Sequence, residues 1–143
     1  MTLAKALKQK NRLTQKISRL QQEIQRENSV RADDVRKINV EDLLEELEVK
    51  VKELIKLKIA IFVASTPMRE NILKLSEIKS HIVFLQSINT TEGKVSNYGE
   101  DAVEYTVVYD KLFIREQVEL CEQGIDEIQE ELDKFNHTTE IDV

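Results

Sequence analysis

Residues 111–135 read KLFIREQVELCEQGIDEIQEELDKF, and their spacing decides the fold. Ile114, Val118, Cys121, Ile125, Ile128, Leu132 and Phe135 follow one another by steps of four and three. Those steps place all seven on one helix face, as a heptad seam that needs a partner helix. Asp110 stands where an N-cap belongs, so the spacing predicts a helix over about 110–135. Gly124 lies inside it at a cost of about 1 kcal/mol relative to Ala. Close approach of a neighbouring helix is the expected reason. Beyond Phe135 the residues Asn136-His137-Thr138-Thr139 leave the period and read as a tail or cap.

Working back from this helix, the period changes. Val103-Glu104-Tyr105-Thr106-Val107-Val108-Tyr109 is β-branched and aromatic, which predicts a strand over 103–109. A lone strand leaves backbone donors unpaired. Asn97-Tyr98-Gly99 offers turn chemistry, so the strand is expected to pair either with residues 94–98 in a short hairpin or with another copy of the chain.

Three more helices precede it. Met68, Ile72, Leu75, Ile78, Ile82 and Leu85 predict a third helix over 67–89, opening on Pro67. Leu44, Leu47, Val51, Leu54 and Ile61 mark the seam of a second, over 40–65. Lys58 fills its intervening slot, and Leu43, Ile55 and Phe62 broaden the face. Asn39 is its expected cap, and Glu41, Asp42, Glu45 and Glu46 complement the macrodipole of its first turns. Leu3, Ala6, Lys10, Leu13, Ile17, Leu20 and Ile24 predict a first helix over 2–28, capped by Thr2. Residues 29–39 are polar and aperiodic, hence a connection. The expected class is all-α. Four long helices form two antiparallel hairpins in one coiled-coil-like helical bundle domain, with a small β-element between the third and fourth.

Composition agrees. The 143 residues hold 3 Gly, 1 Pro and 34% charged residues, which suits long helices and argues against a β-sandwich or a Gly-rich nucleotide-binding sheet. One cysteine excludes a disulfide framework. No apolar run approaches the roughly 18 residues that span a bilayer. Lys5, Lys8, Lys10 and Arg12 interrupt any signal-peptide core, so the expected compartment is the cytoplasm. Residues 59–64, IAIFVA, are apolar all round. Burial between neighbouring helices is expected there, with a membrane-inserting tip as the sharper alternative.

Charge is graded along the chain. Residues 1–31 carry a net +6 and residues 99–143 a net −11, within a total of −6. The two ends are expected to face each other, within one chain or between copies. Lys8, Arg12, Lys16 and Arg19 would then lie near carboxylates of the last helix. The basic segment lacks interleaved aromatics, so no nucleic-acid partner is expected.

No residue set emerges for catalysis, cofactor binding or metal ligation. Cys121 occupies a seam position and reads as a buried small hydrophobe. His81 lies at the edge of the third stripe, with only Glu77 one turn before it. His137 lies in the tail. The carboxylates from Glu116 to Asp133 read as a solvated face, because di-metal bundles need paired Glu-x-x-His motifs and neither His has a Glu three residues before it. Gly93 and Gly99 are isolated, so no phosphate-cradling loop exists.

The order of segments resembles a small bacterial family labelled septicolysin-like. The matching residues are Thr2-Leu3-Ala4-Lys5-Ala6-Leu7 with Leu13, Ile17 and Leu20, then Leu43-Leu44-Glu45-Glu46-Leu47, the strand-like 102–110 and Asn136-His137-Thr138-Thr139. Where that family usually carries Trp, this chain has His137, and Pro67 to Ile72 replace a Thr-Leu-containing opening. The family label implies a pore-forming cytolysin, while most members look like cytoplasmic proteins of undefined role. No catalytic set comes with the resemblance. The expected function is therefore a non-enzymatic assembly or interaction protein, with a membrane-active cytolysin as the alternative. The expected partner is the chain itself, as a homo-oligomer of at least two copies, without stable membrane insertion.

Overall fold

The computed structural model describes residues 1–96, 99 and 101–143. Four α-helices, α1 (Leu3–Glu27), α2 (Val40–Ala64), α3 (Arg69–Ser87) and α4 (Lys111–Thr138), account for most of the chain. Between α3 and α4 lie two strands, β1 (Gly93–Val95) and β2 (Val103–Tyr105). The chain divides into two units, one of residues 1–67 with 133–143 and one of residues 68–132.

Three of the helices start where short polar side chains replace missing backbone acceptors. Thr2 Oγ1 accepts from Lys5 N at 3.3 Å, Asn39 Oδ1 from Asp42 N at 3.2 Å, and Asp110 Oδ1 from Phe113 N at 2.8 Å. Each satisfies one of the four free donors at a helix start. Pro67 instead sits in a 3-10 turn, Thr66–Met68, and α3 begins at Arg69.

In the first unit α1 and α2 run antiparallel. Leu3, Ala6, Leu13, Ile17 and Leu20 of α1 are buried, which is the predicted stripe. Leu3, Ala6, Leu57 and Ile141 form a core against which Leu7, Ala60, Ile61, Ala64 and Phe135 pack. The α2 face differs from the prediction. Its inward residues are Leu43, Leu47, Lys50, Leu54, Leu57, Ile61 and Ala64, while Leu44, Val51 and Lys58 face out. Lys50 is the polar member of this inner line, and its ammonium is held by Glu53 at 3.1 Å.

Lys16 Nζ of α1 pairs with Glu46 Oε1 of α2 at 3.1 Å. The loop from α1 to α2 brings the acidic first half of α2 alongside α1. Arg36 closes that loop by donating to the carbonyls of Glu27 at 3.0 Å and Asn28 at 3.3 Å.

The chain ends meet in this unit. Leu3 N donates to Thr139 O at 2.8 Å, Ile141 N donates to Met1 O at 2.9 Å, and Thr2 and Glu140 form a β-bridge. The Met1 ammonium adds an ion pair to Glu140 at 3.1 Å. The helix α4 therefore runs on to Thr138, past the predicted end at Phe135. Thr139 N still bonds Phe135 O at 2.9 Å, so the backbone helix outlasts its apolar period.

In the second unit α3 and the adjoining part of α4 are antiparallel neighbours. Asn71 Nδ2 donates to Glu131 Oε2 at 2.8 Å, and Ile78 faces Gly124. Leu85, Ile114 and Leu132 are its buried residues. The predicted α3 stripe holds except at Ile72, which faces out while Asn71 turns in. The strands pair antiparallel, Gly93 with Tyr105, Lys94 with Glu104 and Val95 with Val103. The second strand ends at Tyr105 instead of 109, because β1 supplies only three residues and a ladder stops where its partner stops. Tyr109 stacks on Phe113 at 4.5 Å instead. Of the predicted turn, Asn97 and Tyr98 lie outside the described residues, and Gly99 adopts φ +72°, the left-handed region that favours glycine.

Candidate interaction surface

The helix α2 carries a second line of residues, Leu44, Glu48, Val51, Ile55, Lys58 and Phe62. Each is one position beyond a member of the inner line, hence about 100° further round the helix. All six are exposed, Ile55 at 52% and Phe62 at 63%. Ile59 at 60% and Val63 at 65% widen the line at its end. The burial expected for residues 59–64 is thus corrected. Only Ala60, Ile61 and Ala64 turn toward the core, because α1 and the Phe135 and Ile141 side chains cover only one side of a helix that is apolar all round. On α3, Leu73, Val83 and Phe84 are likewise exposed.

The residues considered for chemistry are placed as follows. Cys121 is half-buried in the α4 seam. His81 is exposed, with its ring 5.9 Å from that of Phe84, and His137 is exposed at the end of α4. Among the described residues no group of three His, Cys, Asp or Glu side chains converges as metal ligands would. Lys74, 2.9 Å from Glu70, holds that carboxyl below its usual range, first by hydrogen bond and then by charge.

An open groove of about 760 Å³ is lined by residues 88–92 and 110–112 on either side of the strand pair. Asn89, Thr91 and Asp110 of this lining are engaged locally. Asn89 Oδ1 accepts from Thr91 N at 2.9 Å and from Thr91 Oγ1 at 2.6 Å, while Asp110 caps α4. No helix among the described residues is long and apolar enough to cross a membrane.

Comparison with known proteins returns no matching family model, no matching curated protein and no matching solved structure. The surface itself was within reach of the sequence. Adjacent apolar pairs, Leu43-Leu44, Leu54-Ile55 and Ile61-Phe62, signal a helix with two apolar lines rather than one broad seam.

Proposed function

We propose that this chain is a non-enzymatic helical assembly protein of the cytoplasm that associates with copies of itself, its hairpins completing a helical bundle. One observation carries the reading, the exposed apolar line of α2. Apolar side chains exposed on that line favour association at about 25 cal/mol per Å² removed from water. The septicolysin-like order of segments is compatible with this reading, since it carries no catalytic residues.

Light scattering across micromolar concentrations tests it. The expected mass is a multiple of 16.6 kDa, and a constant monomer mass refutes self-association. A second reading, a membrane-active cytolysin, is favoured by the exposure of Ile59, Phe62 and Val63 at one helix end. Leakage of dye from anionic liposomes at nanomolar protein would select that reading, and intact liposomes would remove it.

A further inference from the structure

We propose that the outer face of α2 is a two-fold interface, in which α2 of one copy lies antiparallel against α2 of a second copy with its centre at the level of residue 53. This rests on the self-association proposed above and adds the surface, the orientation and the register.

The outer line steps by four, three, four, three and four through Leu44, Glu48, Val51, Ile55, Lys58 and Phe62. That is a heptad seam over 19 residues, about 28 Å of helix at 1.5 Å per residue. The line is symmetric about position 53. Reversed and laid on itself, Leu44 meets Phe62 of the second copy, Val51 meets Ile55, and Glu48 meets Lys58. Apolar therefore falls on apolar, and the polar members, one acid and one base, fall on each other.

A parallel pairing would set Glu48 against Glu48 and Lys58 against Lys58, with like charges inside an apolar seam. Polar residues at seam positions are known to select register and orientation in this way. The rest of α2 agrees. Residues 40–49 hold five acids and no base, while residues 50–64 hold four bases and one acid. Antiparallel pairing brings acidic half against basic half and opposes the two macrodipoles. An isologous interface needs this self-complementarity, each contact occurring twice about the axis. Leu44, Glu48, Val51, Ile55 and Lys58 of this line are exposed, whereas the inner line one residue behind them packs toward α1.

Charge exchange tests the pairing. The dissociation constant of the wild-type oligomer is compared with those of Glu48→Lys, Lys58→Glu and the double variant, each checked for helicity and thermal unfolding. All these positions are exposed, so folding should be unaffected. Each single variant places like charges across the seam twice and is expected to weaken association about tenfold or more. The double variant is expected to return within about threefold of wild type, because acid and base have merely changed places. Glu48→Gln, which removes one charge without adding another, should fall between. Singles that bind as tightly as wild type would overturn this interface while leaving self-association standing. A double variant as weak as the singles would overturn the antiparallel register. A monomeric wild type would overturn both.

Discussion

Gly124 gives the clearest test of a single position. It lies within α4 with no positive φ, and a Cβ built there would sit 3.9 Å from Ile78 Cδ1, an ordinary van der Waals contact. The neighbouring helix is therefore close, but not so close that glycine is required. Gly124→Ala should raise stability by about 1 kcal/mol, through the lower conformational entropy of the unfolded chain and a small gain in contact. Urea unfolding followed by circular dichroism measures it, and a loss of stability would mean that α3 and α4 pack more tightly than this contact allows. Lys16 is a second case at this scale. Its pair with Glu46 is half-exposed at both ends, so it orients the hairpin more than it stabilises it.

At the scale of elements, a helix is legible when its apolar residues allow only one phase. The α4 seam is such a case, because Glu116, Glu119, Glu122, Glu127 and Glu130 exclude every other face. Ile128 is half-buried and Glu130 exposed, as the spacing requires. Ile128→Asp should cost more than about 3 kcal/mol by sinking a charge into the seam, while Glu130→Gln should change stability by less than about 0.5 kcal/mol. Equal effects in thermal melts would mean that the face is misassigned. The helix α2 was less legible for a physical reason. Where both 54 and 55, or both 61 and 62, are apolar, a spacing of three and four is satisfied by a line that crosses between two true ones. Burial of Leu57 at 2% exposure, one residue from the predicted slot at Lys58, decides between them. The strand failed differently. Residue type marks a segment that can pair, but the partner sets how much of it does, and β1 offers three residues. Neither period nor propensity reports on partners outside the segment, so the adjacent apolar pairs of α2 signal a second line without saying which of the two lines faces the core.

At the scale of the whole molecule, the first unit depends on its last few residues. Ile141 is 6% exposed and shares a core with Leu3, Ala6 and Leu57. Ile141→Ala should cost about 2–4 kcal/mol. It should also speed hydrogen exchange at the Leu3 amide, which bonds Thr139 across the junction. Exchange followed by mass spectrometry checks both, and an unchanged Leu3 would show that the bridge holds without its apolar plug. That same junction joins residues about 140 positions apart in the sequence. During synthesis α1 and α2 leave the ribosome long before Ile141 is made. Their hairpin must wait with the hollow between Leu3, Ala6 and Leu57 unplugged, as a nascent chain with exposed apolar surface. Translation speed through the last helix therefore sets how long that hollow is open to chaperones or to the hairpins of neighbouring nascent chains.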